Sequence, residues 1–109
     1  MSRLFLLNSS NWKDFFNKNL CYVMFSKSDC EQCKILETSL EKVNLNREIL
    51  MTKLVLDTPG FAELKQKYSW ISNIDVLPYN AIFSKGRLIE SWSGANLDTL
   101  QTKINGEKP

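Results

Sequence analysis

The apolar run from Cys21 to Ser26 constrains the fold of this chain more than any other stretch of its sequence. Successive side chains of a strand point to opposite faces of a sheet, so a continuous apolar run is typical of a strand that is covered on both faces. Such strands occur in the parallel sheets of α/β proteins, where helices pack on both sides. We therefore expect a central strand at 21–26 with helices on both faces of its sheet.

The sequence Cys30-Glu31-Gln32-Cys33 follows this run and leads into a helical pattern. Two cysteines separated by two residues at the start of a helix can close a small disulfide, and backbone N–H groups there stabilise a thiolate on the first sulfur. We therefore expect Cys30 to attack a partner disulfide, and Cys33, one helical turn later, to resolve the mixed disulfide that forms. The spacing predicts a redox-active pair.

A Cys-x-x-Cys pair can also be structural or contribute to a metal site, and the sequence leaves these alternatives open. Tetrahedral zinc needs four nitrogen or sulfur ligands, whereas this chain has no histidine and three cysteines. An iron–sulfur cluster shared between two copies of the chain would use the same motif. Cys21 is expected to be a buried small apolar residue, because free cysteine is among the most buried residue types. Redox chemistry is favoured, and no metal or other cofactor is expected.

Length and composition predict a single domain spanning residues 1–109. The formal net charge is +2, with 14 basic and 12 acidic residues, so nucleic-acid binding has little support. No apolar run approaches the roughly 20 residues that a membrane span needs. The segment Leu4-Phe5-Leu6-Leu7 is too short for the hydrophobic region of a signal peptide. We expect a cytoplasmic monomer that does not contact membranes.

Hydrophobic periodicity and turn residues predict the element order β-α-β-α-β-α-β-β-α. The strands are predicted at 4–7, 21–26, 51–56, 79–83 and 88–92, and the first of them is expected to be a short buried strand. The last two form a hairpin around Lys85-Gly86, which makes the sheet mixed. The first helix is expected to be capped by Ser9 or Ser10, and the last helix to end at Gly106.

The two middle helices are predicted from apolar residues at helical spacing. The second helix is expected over 33–43, and the residues expected on its apolar face are Ile35, Leu36, Leu40 and Val43. Glu37 is expected away from that face. The third helix is expected to begin at Asp57-Thr58-Pro59, because a capping side chain precedes a proline. In the looser stretch that follows, Trp70 is expected to pack under the loop against the interior, although it could instead be an exposed recognition residue.

This order of elements and several motifs resemble the thioredoxin family over nearly the whole chain. The matching segments are Cys30-Glu31-Gln32-Cys33-Lys34, Lys53-Leu54-Val55-Leu56-Asp57, Ile74-Asp75-Val76-Leu77-Pro78, Phe83-Ser84-Lys85-Gly86-Arg87 and Gly94-Ala95. The resemblance implies an α/β thioredoxin fold, with a central mixed β-sheet flanked by helices on both faces. It also implies a thiol–disulfide oxidoreductase that takes part in electron transport and cell redox homeostasis.

The resemblance also implies a substrate-docking site. The bond before Pro78 is expected to be cis and to lie opposite the cysteines, although Pro78 could instead be the rigid first residue of an edge strand. The backbone of Leu77 is expected to pair with an extended substrate segment. The residues expected to border this site are Val76, Leu56, Gly94 and Ala95.

The chain departs from the thioredoxin pattern close to the cysteines. Asp29 precedes the first cysteine where the family has tryptophan, and Glu31-Gln32 replaces glycine-proline between the pair. Acidic side chains near Cys30 would oppose its thiolate, or they could be plain solvated charges. Met24 occupies the position of the family's buried aspartate. We therefore expect Lys53 to lack its usual acidic partner, and to be either an exposed charge at the strand end or a residue that acts near the resolving thiol.

Together these features predict a divergent reductase of protein disulfides, recharged by a separate reductase. The lost tryptophan and buried acid also fit a binding or assembly module of the same fold with little redox turnover. A metal or iron–sulfur carrier is a further alternative.

Overall fold

The computed structural model describes residues 3–45 and 47–106. Their strands form one five-stranded sheet in the order β1-β3-β2-β4-β5. The strands are β1 (Phe5–Leu6), β2 (Cys21–Ser26), β3 (Leu50–Val55), β4 (Tyr79–Ser84) and β5 (Arg87–Ser93). Strands β1, β3 and β2 are parallel to one another, whereas β4 is antiparallel to both β2 and β5. The predicted mixed sheet is confirmed.

Helices cover both faces of this sheet, as expected. They are α1 (Trp12–Phe16), α2 (Glu31–Leu40), α3 (Ala62–Lys67) and α4 (Leu97–Asn105), and a 3-10 helix at Ser69–Asn73 follows α3. Residues of α1 and α3 pack on one face in a core that we call cluster 1. Residues of α2 and α4 pack on the other face in a core that we call cluster 2.

Strand β2 lies at the centre of the sheet and is buried along its whole length. Its alternating side chains divide between the cores, because Val23 and Phe25 belong to cluster 1 whereas Tyr22 and Met24 belong to cluster 2. The continuous apolar pattern therefore correctly predicted a strand covered on both faces.

Aromatic rings fill much of cluster 1 and fix the position of α1. The ring of Phe16 stacks on that of Phe83, with their centroids 4.2 Å apart. Trp70 contacts Phe25, Tyr79 and Phe83. The expected packing of Trp70 against the interior is thus confirmed.

The predicted start of α3 at Asp57-Thr58-Pro59 is wrong, because the helix begins at Ala62. The chain first turns through Gly60, whose φ of +105° lies in a region that favours glycine. The carboxylate of Asp57 accepts hydrogen bonds from the Ser28 amide instead of capping a helix.

The predicted cap of α1 is also wrong, because the N-cap is Asn11, not Ser9 or Ser10. The preceding turn is organised by Asn8, whose side chain accepts hydrogen bonds from the amides of Ser10 and Asn11. Asparagine side chains commonly form such turns, and they compete with serine for the capping position.

The bounds of α2 and the burial of β1 differ from the sequence-based expectation. Helix α2 begins at Glu31 and ends at Leu40, and Ile35 is exposed instead of lying on the apolar face. A step of about 100° per residue turns Ile35 away from the face that Leu36 and Leu40 share. Strand β1 lies at the edge of the sheet, and both of its residues are exposed.

The carboxyl-terminal part of the described chain follows the prediction closely. Lys85 and Gly86 have positive φ values of 51° and 83° and turn the chain from β4 into β5. Helix α4 ends at Gly106, which adopts the left-handed conformation. Within the ranges that the structure describes, no helix is both long enough and apolar enough to cross a membrane.

Candidate active site

Cys30 and Cys33 form a disulfide at the start of α2, with their Cα atoms 5.3 Å apart. Cys30 is the N-cap residue of α2, and its sulfur lies 3.2 Å from the Cys33 amide nitrogen, which donates to it. Cys30 is partly exposed, whereas Cys33 is 3% exposed and belongs to cluster 2. Cys30 is therefore the more accessible of the two cysteines.

The segment between β2 and α2 is held by the end of β3. The amide of Leu56 donates to the Ser26 carbonyl over 2.7 Å. Asp57 accepts hydrogen bonds from the Ser28 amide, and hydrogen bonds from Ser28 are the main reason that the pKa of the Asp57 carboxyl is lowered. Sequence reasoning missed this role of Asp57, because nothing in the local pattern shows which loop reaches it.

The peptide bond between Leu77 and Pro78 is cis, as expected from the resemblance. Pro78 is buried, and Leu77 is partly buried against cluster 2. Cys30 and Ala95 pack against the same cluster. The backbone N–H and C=O of Leu77 make no hydrogen bond within residues 3–45 and 47–106.

Gly94 lies beside the proline loop. Its amide donates to the carbonyl of Pro78 over 2.8 Å. Its φ is +106°, and an added Cβ would meet no atom within 4 Å, so the space above Gly94 is open. The loop that contains Gly94 and the loop that contains Pro78 are thus joined directly.

Leu56 and Val76, which are also expected to border the docking site, are not among the residues that pack against cluster 2. Leu56 packs against cluster 1, on the face opposite to Leu77 and Ala95. Val76 is 52% exposed. It lines a cavity of about 350 Å³ whose wall also includes Trp70, Asn73, Ile74, Asp75, Tyr79, Leu88, Ser91 and Ser93.

Lys53 has an acidic partner, so the expectation that it would lack one is wrong. Its ammonium lies 3.0 Å from a carboxylate oxygen of Glu37, and the two side chains are 25% and 18% exposed. Lys53 pairs in register with Met24, which is fully buried. Glu37 is four residues after Cys33, and helical spacing places such residues on neighbouring turns of one face. The four-residue spacing from Cys33 was the feature of the sequence that could have placed Glu37 near this site.

The polar residues next to Cys30 in the sequence lie at the surface. Asp29, Glu31 and Gln32 are all exposed, and Glu31 is in the first turn of α2. A carboxylate in the first turn of a helix interacts favourably with the helix dipole, but it also opposes a thiolate at the same end.

Cys21 does not take part in this site. It is fully buried in cluster 1, on the other face of the sheet from Cys33. Burial raises the pKa of its thiol to about 11, although a hydrogen bond with Thr52 acts in the opposite direction. Among the described residues, no group of three or more histidine, cysteine or acidic side chains could hold a metal ion.

Iodoacetamide alkylation of the reduced protein is expected to modify Cys30 at a lower pH than an ordinary cysteine. The start of α2 and the Cys33 amide stabilise a thiolate at Cys30, while Asp29 and Glu31 partly oppose it. A pH series analysed by mass spectrometry measures the rate. Buried Cys21 is the internal control and should stay unmodified. A Cys30 rate that still rises steeply above about pH 9 would contradict the expectation.

A scan against protein-family models and a search of curated proteins both find no match for this chain. Solved structures do match it. Thioredoxin f2 of Chlamydomonas reinhardtii has a TM-score of 0.76 and 22% identity over 97% of each chain. Oxidised thioredoxin of Plasmodium falciparum has a TM-score of 0.75 and 20% identity, covering 94% of this chain and 96% of its own.

Fasciola hepatica thioredoxin is similar to the same extent. It has a TM-score of 0.74 and 22% identity, and the match covers 96% of this chain and 100% of that one. The three structures agree over nearly the full length of the chain, and the Cys30–Cys33 pair is present. The chain therefore has an α/β thioredoxin fold with a Cys-x-x-Cys disulfide, as the sequence motifs predicted.

Proposed function

We propose that this protein is a thiol–disulfide oxidoreductase that reduces disulfides of other proteins. The observation that carries the proposal is the asymmetric disulfide at the start of α2, in which Cys30 is partly exposed and Cys33 is buried. A reactive pair needs one accessible sulfur to attack and a second sulfur within reach to resolve. The thioredoxin fold supports the same chemistry.

In the reducing direction the Cys30 thiolate attacks one sulfur of a substrate disulfide. The substrate S–S bond breaks, its other sulfur leaves as a thiolate and takes a proton, and a mixed disulfide joins Cys30 to the substrate. The Cys33 thiolate then attacks the Cys30 sulfur. The Cys30–Cys33 disulfide forms, the substrate leaves as a dithiol, and two electrons have moved to it. A separate reductase would return the pair to the dithiol form.

Substrate docking at Leu77 fits this chemistry. An extended segment pairing with the free N–H and C=O of Leu77 would present its backbone next to cluster 2, where Cys30 also packs. We call the backbone around Leu77 the docking edge. Pro78 shapes this edge, and Gly94 and Ala95 border it. Main-chain pairing depends little on the substrate's side chains, so a protein with this site would accept many disulfides.

A thiol reductase of this kind requires a reducing compartment, and we propose that the protein works in the cytoplasm. We also propose that it acts as a monomer and contributes to electron transport and redox homeostasis. The pair carries the electrons, so the proposed cycle needs no cofactor.

Reduction of insulin by dithiothreitol is expected to accelerate in the presence of the protein, and Cys30→Ser is expected to lower this acceleration by at least about a hundredfold. Turbidity of the precipitating B chain gives the rate. Cys21→Ala is the matched control, because Cys21 lies in the opposite core, and it should retain the activity. If the wild-type protein fails to reduce insulin, a binding or assembly module replaces the proposed reductase. A visible absorption spectrum of anaerobically purified protein tests the metal-carrier alternative.

A further inference from the structure

We propose that Asn80 is a positioning residue that clamps the Gly94 loop to the proline loop and so sets the width of the substrate-docking edge. This inference rests on the proposed function, because it assigns a role in substrate capture. The observation that supports it is a polar side chain at a buried position of a strand. Asn80 is fully buried in β4, and the residues that follow it in the strand, Ala81, Ile82 and Phe83, are buried and apolar.

The carboxamide of Asn80 binds three groups. Its Nδ2 donates to the carbonyl of Gly94 over 2.9 Å and to the carbonyl of Trp92 over 3.2 Å. Its Oδ1 accepts a hydrogen bond of 2.5 Å from the hydroxyl of Tyr22. Carbonyls only accept hydrogen bonds, so Nδ2 must face Gly94 and Trp92, and this fixes the orientation of the amide.

The contacts of Asn80 continue to the docking edge. The pairing of β4 with β5 ends where Tyr79 meets Ser93, so Gly94 is the first residue beyond the ladder. Asn80 binds the Gly94 carbonyl, and the Gly94 amide binds the Pro78 carbonyl. The Gly94 loop is therefore anchored to Asn80 directly, and the proline loop is connected to Asn80 through Gly94.

Burial by itself does not favour an amide at this position. A buried apolar side chain would avoid the cost of removing a polar group from water, whereas an amide with all its partners is roughly neutral. The amide fixes the orientation of the Gly94 carbonyl, because it holds this carbonyl inward at a fixed distance from β4. Without it, the Gly94 loop would be held beside Leu77 only by the hydrogen bond from the Gly94 amide to the Pro78 carbonyl.

Asn80→Leu removes both donors while keeping the number of side-chain heavy atoms. We expect the KM for insulin to rise about fivefold or more, which corresponds to the loss of about one hydrogen bond, while kcat changes less than about twofold. Reaction with the small disulfide 5,5′-dithiobis(2-nitrobenzoate) should be unchanged, because it needs no docking edge. Tyr22→Phe is the matched control, since it disturbs the same buried network but leaves both Asn80 donors in place. Its KM should stay near that of the wild-type protein.

Amide exchange of Gly94, followed by NMR, tests the clamp without any enzyme assay. The exchange should be faster in Asn80→Leu than in Tyr22→Phe, even if the wild-type protein reduces no insulin and the proposed function fails. If Asn80→Leu does not fold, Asn80→Ser removes the same amide donors with a smaller change in polarity. Equal Gly94 exchange in the Asn80 and Tyr22 variants would overturn the inference, as would equal KM values when insulin is reduced.

Discussion

Cys33→Ser is expected to convert the protein into a trap that holds disulfide-containing proteins covalently through Cys30. The partly exposed Cys30 can still attack a substrate disulfide, but a serine hydroxyl cannot attack the resulting mixed disulfide. With insulin as substrate, mass spectrometry should show a covalent adduct that disappears on reduction. In cells, the same variant should carry partner proteins that are released by dithiothreitol.

The matched control for the trap is Cys30→Ser, which keeps Cys33. Because Cys33 is 3% exposed, it should reach substrate disulfides far more slowly, and the yield of adduct should fall at least about tenfold. Cys21 is present in both variants and cannot account for the contrast. Equal yields from the two variants would reverse or remove the roles assigned to Cys30 and Cys33.

The sequence predicted the parts of this structure that depend on local pattern. The apolar run at 21–26 forms β2 with the predicted bounds, because a strand that is buried on both faces has apolar residues at consecutive positions. The turn at Lys85-Gly86 and the helix end at Gly106 were predicted because both need positive φ values. The position of Cys30 at the start of α2 followed from the motif itself.

The sequence did not predict contacts that join distant segments. The Asp57 carboxylate was expected to cap a helix, but it binds the Ser28 amide, 29 residues earlier in the chain. In the sequence, Asn80 is simply one residue of a short predicted strand. Only the pairing of the strands brings it next to Tyr22 and Gly94. Such contacts depend on register and loop paths, which a single sequence does not specify.

Met24, which occupies the position of the thioredoxin family's buried acid in the resemblance, has charged and polar neighbours that the sequence did not indicate. Met24 lies between Lys53 on β3 and Asn80 on β4 in the register of the sheet, and it shares cluster 2 with Cys33. The carboxylate near this position comes from Glu37 on α2, which pairs with Lys53. An acid at position 24 would therefore face a lysine that already has a partner.

Met24→Asp is expected to destabilise the fold and to accelerate the resolving step. Met24 is fully buried, and a buried carboxyl without a full set of hydrogen bonds costs about 1–3 kcal/mol in mutational data. Burial should raise the pKa of the new carboxyl, so the folded state binds more protons than the unfolded state. The loss of stability should accordingly grow as the pH rises above the pKa of an unfolded aspartate. Urea denaturation at several pH values measures this.

The acceleration of the resolving step would come from proton transfer, because a carboxylate near Cys33 could accept the thiol proton during its attack on Cys30. Stopped-flow release of insulin from the mixed disulfide gives the rate. Met24→Asn is the matched control, since it buries a polar group of similar size that cannot accept the proton, and Met24→Leu controls for the lost thioether. Met24→Asp should release substrate faster than both. If its stability and rate equal those of Met24→Leu, position 24 does not contact the resolving thiol, and Glu37 becomes the acid to test next.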